Sequence, residues 1–328
     1  MVRIRIALCS LTSLIAACAA TSPLTVNAPP AHLTPNAPGL ARMTSLPTPP
    51  PNCGRYGPCS VDACFGAICI AYSTEGSVQA ELTSGIVYAQ GVAADPKGNV
   101  YIADAGQSVV FEYGPYLKAL VKTYQDYGQV PLDVAVDPKI KLLATSNQST
   151  ASGGAGSVSV FAGGSLTPTA TLSDEKVSDA QGIGVAIDGH GDCFWSFYDP
   201  ASTRSKIDEF PACSGSPKTI ASGKRALRGM AFDRQNDLFY IVDVNASDHA
   251  VFKCRKTTRC RQLATDFAKP VMLNFDRHWR FLWTDDAGVL EGPLIESIDP
   301  QTGQVTSSFR AGSSFDPPFG IAHVPGPG

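Results

Sequence analysis

Charge is scarce in this chain: 17% of its 328 residues are Asp, Glu, Lys or Arg, and the formal net charge is -3. A balance so close to neutral gives nucleic acid or an anionic membrane surface nothing to bind. Histidine is scarcer still, with five copies. There is no H-E-x-x-H pair, no C-x2-C pair, no Ser-His-Asp order and no phosphate-binding glycine loop, which removes the common zinc, nucleophile and nucleotide patterns. Apart from one stretch at the N-terminus, no apolar run approaches the length of a membrane span. Turn formers are plentiful, with 30 Gly and 25 Pro. Sparse charge with many turn formers favours a β-rich chain over a helical one.

The N-terminal stretch reads as a targeting segment. Arg3 and Arg5 supply a short positive region, and residues 6–17 form an apolar run too short for an ordinary transmembrane helix. The run ends in Ile15-Ala16-Ala17-Cys18, which resembles the lipobox of bacterial lipoproteins. That resemblance implies cleavage before Cys18 and lipid on its thiol; the alternative is ordinary signal cleavage nearby. Residues 1–18 are therefore read as a signal peptide with lipobox. Residues 19–52, rich in Pro, Ala, Thr and Ser, are read as a disordered tether, because they cannot bury enough apolar area to offset their ordering entropy. The expected address is the bacterial cell envelope, as an outer-membrane lipoprotein or periplasmic protein, or secretion. The only membrane contact expected is the N-terminal lipid anchor.

Beyond the targeting segment, residues 53–328 carry a repeated hairpin. "GVAADPKGNVYIAD" at 91 returns as "DVAVDPKIKLLATSN" at 133, "GVAIDGHGDCFWSF" at 184, "GMAFDRQNDLFYIVD" at 229 and "MLNFDRHWRFLWTDD" at 272, with a final "GIAHVPG" at 320. The Asp closing each first strand falls at Asp95, Asp137, Asp188, Asp233 and Asp276, with Val324 in the sixth place. The intervals of 42, 51, 45, 43 and 48 residues average about 45, the period of a β-propeller blade. Third and fourth strands follow each hairpin, such as "SVVFEY" and "ALVKTYQ". The expected fold is all-β: a six-bladed β-propeller of four-stranded antiparallel blades. The sixth first strand ends the chain, so the last blade is expected to be closed jointly by N- and C-terminal strands, with residues 67–73 and 77–84 as its third and fourth.

The G-[VI]-A-x-D motif, a turn, and an aliphatic strand ending in Ala-Asp resemble NHL repeats, and more widely the gluconolactonase-like propellers. The resemblance covers nearly the whole chain after residue 58. It implies the fold; these propellers host enzymes, binders and scaffolds alike.

Propeller topology puts the start of each first strand and the end of each second strand at one mouth. A ligand-binding face is expected there, formed by Gln90, Asp104, Asn147, Asp199, Arg228, Asp243 and Asp285. The turn residues His190 and His278 belong to the opposite mouth. Gluconolactonase-like propellers hold a divalent cation with a central Glu, Asn, Asn and Asp. Here Leu132, Ile183, Val271 and Phe319 are apolar and Arg228 is cationic at the axial positions, so that ligand set does not carry over. No catalytic residue, metal or cofactor is expected. His249 reads as a solvated loop histidine, the aspartates closing second strands as turn acceptors, and "GAGS" at 154–157 as a loop. Trp195, Trp279 and Trp283 read as packing between blades. The expected function is binding of a protein or small-molecule ligand. The alternatives are a metal-dependent, lactonase-like hydrolase or a lyase on this fold, and a structural envelope scaffold.

Ten cysteines, eight of them beyond the targeting segment, suggest disulfides in an exported chain. Strand adjacency pairs Cys193 with Cys213 and Cys254 with Cys260. Cys53, Cys59, Cys64 and Cys69 are expected to pair among themselves, with three connectivities open.

Overall fold

The computed structural model describes residues 60–74, 76–137, 139, 141–223, 226–243, 249–255, 257–267, 270–275, 282–286, 294–311 and 320–324. The signal segment, its Cys18, the tether, Cys53, Cys59 and His278 lie outside the described residues.

Among the described residues the strands fall into six four-stranded antiparallel sheets, in a propeller arrangement. Three come from the N-terminal end: β1 (Ser60–Phe65), β2 (Ile68–Ser73) and β3 (Val78–Leu82). The next sheet holds β4 (Ala89–Ala94), β5 (Val100–Asp104), β6 (Val109–Tyr113) and β7 (Leu120–Gln125). It is followed by β8 (Gln129–Asp137), β9 (Leu142–Thr150), β10 (Ser157–Ala162) and β11 (Ala170–Leu172). Then come β12 (Gln181–Ile187), β13 (Cys193–Asp199), β14 (Arg204–Phe210) and β15 (Lys218–Gly223). The fifth group is β16 (Leu227–Phe232), β17 (Leu238–Asp243), β18 (His249–Arg255) and β19 (Arg259–Phe267). The last are β20 (Pro270–Phe275), β21 (Leu282–Asp286), β22 (Leu294–Ile298) and β23 (Val305–Arg310), with β24 (Gly320–Val324) at the C-terminal end.

The first sheet has the order β24-β1-β2-β3, so strands from both chain ends build it, with Ser60 opposite Val324 and Cys64 opposite Gly320. The sequence reading assigns two N-terminal strands to this sheet; the structure has three. The strand it missed is β1, "SVDACF", whose central Asp62 interrupts the apolar pattern although the residue is fully buried.

The repeat's Asp is explained by the turn it caps. Asp95 Oδ1 accepts the N–H groups of Lys97 (2.8 Å) and Asn99 (3.0 Å), and Asp233 Oδ1 those of Gln235 (2.9 Å) and Asp237 (2.8 Å). Asp188 does the same for His190 and Asp192, and its Oδ2 accepts Asn236 Nδ2 from the next hairpin at 2.7 Å. Asn236 Oδ1 in turn accepts Gly189 N–H at 2.9 Å, which clamps two neighbouring turns together.

The core lies between sheets, in clusters that each draw on two neighbours. Trp195 and Phe197 on β13 stack with centroids 4.2 Å apart and pack with Val158, Val160 and Leu172 of the preceding sheet. Trp195 is fully buried and donates its Nε1–H to Ser146 Oγ at 3.1 Å, so this tryptophan serves packing. Trp279 lies outside the described residues, as does the side chain of Trp283.

Among the described residues there are three disulfides. Cys193 joins Cys213 (Cα–Cα 4.7 Å) and Cys254 joins Cys260 (3.9 Å), the two pairs that strand adjacency predicts; Cys64 joins Cys69 (4.0 Å) across the β1–β2 hairpin. Chain-entropy reasoning ranks them by loop length. Replacing Cys193 and Cys213 by alanine, a separation of 20, is expected to cost about 3 kcal/mol. Replacing Cys254 and Cys260, a separation of 6, is expected to cost about 2 kcal/mol. Guanidinium unfolding of each double variant checks the order, and free thiols at these positions in non-reducing peptide maps would refute the pairing.

Candidate functional site

Inner strands approach each other most closely four residues before the repeat's Asp position, at Gly91, Gly184, Gly229 and Gly320, with Asp133 and Met272 in the two remaining places. A Cβ on Gly229 would lie 2.7 Å from Met272 Cα, and one on Gly320 would meet the Gln90 carbonyl oxygen. Backbone thus packs against backbone at this level. The strands neighbour one another in the order β4, β8, β12, β16, β20, β24 and return to β4.

Above that level a cavity of about 680 Å³ opens toward the hairpin turns. Its walls come from the inner strands, at Val92, Val134, Val185, Met230, Leu273 and Ile321. Its entrance is formed by the turns, including Asp95, Asp188 and Asp233, with Lys139, His190 and Arg234. At its inner end lies Asp133, 7% exposed. Asp133 Oδ1 accepts Val134 N–H and Oδ2 accepts Val185 N–H from the neighbouring inner strand, both at 2.9 Å. Burial pushes this carboxyl up to about 7, although the Val185 and Val134 amides pull the other way.

The cavity therefore faces the mouth opposite the rim singled out from the sequence. On that rim, Asp104 is fully buried. It accepts the N–H groups of Val87 (2.7 Å), Tyr88 (3.1 Å), Gly106 (2.9 Å) and Gln107 (3.1 Å), and Gln107 Nε2 at 3.0 Å. Asn147 is also fully buried, donating Nδ2 to Ser159 Oγ (2.9 Å) and Ser157 Oγ (3.3 Å). Ser159 in turn donates to Asp126 Oδ1 at 2.7 Å, and Thr145 donates to Asp126 Oδ2 at 2.8 Å. Asp199 accepts Ser202 Oγ–H at 2.7 Å and sits 3.3 Å from Lys206 Nζ. Desolvation would raise the Asp199 carboxyl, but the Ser202 hydrogen bonds and Lys206 outweigh it and hold it below the ordinary range. Gln90 is 6% exposed and its Nε2 has no hydrogen-bond partner among the described residues. Arg228 is half-buried, and its carbonyl accepts Ser196 Oγ–H at 2.9 Å. Asp243 and Asp285 end β17 and lie near the end of β21 as expected; their side chains lie outside the described residues.

Asp104 and Asp199 do not offer the free oxygens that the divalent cation of gluconolactonase-like propellers needs. A hard cation needs several free oxygens converging on one point, whereas Asp104 is held by its own turn and by the Val87 and Tyr88 amides, and Asp199 by its own turn and Lys206. Among the described residues no group of three or more His, Cys, Asp or Glu side chains is placed to hold a metal ion.

One expectation is corrected. His249 is not a solvated loop residue: it opens β18, opposite Asp243 and Phe267, and is 5% exposed. The strand pairing extends further than the polar sequence around it suggests. The loop at 154–157 engages its own amides, with Gly154 N–H on Thr150 Oγ1 (2.8 Å) and Gly156 N–H on the Ala180 carbonyl (2.6 Å). Sequence reasoning missed Asp133; the available signal was a carboxylate standing where the repeat has glycine.

Four-stranded antiparallel sheets whose inner strands surround a central cavity define a β-propeller. No protein-family model matches the chain, and no curated protein matches it. Among solved structures it is similar to a chain in the crystal structure of a nidogen/laminin complex, with 14% identity and a TM-score of 0.62. The match covers 82% of this chain and 98% of that one. At that identity the likeness is one of fold.

Proposed function

We propose that the protein is an exported, lipid-anchored, six-bladed propeller of NHL type that binds a partner and does not turn over a substrate. The observation that carries this reading is the employment of the rim carboxylates. Asp104 and Asp199 spend their oxygens on amides, a hydroxyl and a lysine, which shapes the rim and leaves no converging set for metal-assisted chemistry among the described residues. The similar solved structure comes from a protein complex, which agrees with a binding role. Three disulfides suit an oxidising compartment, and among the described residues no helix is long and apolar enough to cross a membrane. Partner contact is placed on the mouth that holds Arg228, whose guanidinium suits an acidic group.

The test is capture from envelope extract by the purified chain. A stoichiometric partner is expected, retained at least tenfold less by Arg228→Ala and unaffected by His190→Ala. Turnover of a lactone with a stoichiometric divalent cation, and no retained partner, would replace this reading with a hydrolase. Cys18→Ser is expected to leave the protein without acyl mass and free of the membrane. A wild-type mature N-terminus downstream of Cys18 would end the anchoring proposal.

A further inference from the structure

We propose that the central cavity is a binding site for an organic cation, an ammonium or guanidinium group, with Asp133 as its counter-ion. The inference concerns the mouth opposite Arg228 and does not depend on the partner reading. Asp133 occupies a place where four of the six inner strands carry glycine, so its side chain enters space the repeat keeps clear. Its position within the channel follows from its hydrogen bonds. Val185 lies three residues before Asp188, whose N–H closes the β12–β13 hairpin on the Asp192 carbonyl at 3.0 Å. Alternate residues bond across an antiparallel ladder, so Val185 N–H points away from β13. β12 is the innermost strand of its sheet, and the side away from β13 is the channel. Asp133 Oδ2 takes that N–H.

The carboxylate is oriented by two neutral amides, and no cationic group is among its partners in the described residues. A desolvated carboxylate gains most from an opposite charge that arrives with its own apolar body. The cavity supplies the complement: walls of Val, Met, Leu and Ile, and a volume of about 680 Å³, within the range of small-ligand sites. Among the described residues the turns around this mouth place Asp95, Asp137, Asp188 and Asp233 at the entrance together with Lys139 and Arg234, and Lys253 pairs with Asp233 at 3.4 Å. His190 is at this entrance too, and His323 lines the cavity on β24.

The experiment is calorimetric titration of the full chain at pH 8.5 and low salt, where the Asp133 carboxyl is ionised, with pentylammonium, and with 1-pentanol as the uncharged probe. Pentylammonium is expected to bind once per chain, at least tenfold tighter than pentanol, and Asp133→Asn is expected to remove that difference. Arg234→Glu, an exposed entrance residue, is expected to tighten pentylammonium several-fold and keeps the test alive if Asp133→Asn does not fold. A blocked Gly-Lys-Gly peptide separates the sources: binding like pentylammonium assigns the site to a protein-borne ammonium, and exclusion assigns it to a free small amine. Equal affinity for pentanol and pentylammonium, an Asp133→Asn variant that binds as wild type, or no change with Arg234→Glu would overturn the proposal. Uptake of calcium alone, with no amine binding, would overturn it as well.

Discussion

Gly320→Ala is expected to destabilise the propeller by about 3 kcal/mol, the upper part of the range for overpacked sites. The added methyl would meet the Gln90 carbonyl oxygen and lie 2.6 Å from Val92 N. Both are backbone atoms of the neighbouring inner strand, which cannot swing aside as a side chain can. Gly229→Ala faces the same difficulty against Met272 Cα at 2.7 Å. Gly114→Ala is the control: its φ of -66° suits any residue, and its Cβ would come no closer than 3.8 Å to Ala119 O. That variant is expected to stay within about 0.5 kcal/mol of the wild type or to gain slightly from a stiffer unfolded chain. Urea unfolding midpoints measure all three. A Gly320→Ala midpoint equal to that of Gly114→Ala would show that the inner strands are not in backbone contact.

Stability is expected to fall as pH rises from about 4 to about 7. Two buried carboxyls, Asp62 and Asp133, set the window. Desolvation raises Asp62 from 3.8 to about 7, with Ser60 pulling the other way, and Asp133 is raised to about 7 for the same first reason. Burial also raises Asp126 and Asp208. A raised folded pKa means that the native state holds a proton which the unfolded chain releases above about 4. Its stabilising contribution is complete below the unfolded value and is lost as pH climbs through the folded one. Each such group can weigh up to about 1.4 kcal/mol per pH unit within the window. Asp199 has the opposite sign, and its contribution is lost only on the acid side of 3.8. Thermal unfolding between pH 4 and 9 is expected to show Tm dropping by several degrees across the window and then levelling off. Asp62→Asn should flatten part of the slope, because it removes the titration without removing the strand. A Tm that climbs steadily from pH 4 to pH 7 would show that these carboxyls are ionised in the folded protein.

The all-β class, the repeat period, the turn aspartates and two disulfide pairs were legible in the residues themselves. They rest on local chemistry: Asp95 caps the turn that follows it, and Cys254 stands opposite Cys260 in one hairpin. β1 was not legible, because Asp62 breaks the alternation that marks a strand and only its place between sheets accounts for it. The rim was read as a set of strand ends, which Asp104 and Asp199 are, whereas Asn147 lies inside β9; strand order does not say whether Asp104 faces solvent or turns inward onto four amides from two loops. The cavity depended on tertiary structure altogether. Its inner end is where glycines let neighbouring inner strands touch backbone to backbone, and Asp133 becomes a buried charge only when Val185, 52 residues further on, is brought against it. Local hydrogen bonding is written in short windows of sequence, whereas burial and the direction in which a channel opens are properties of the closed ring.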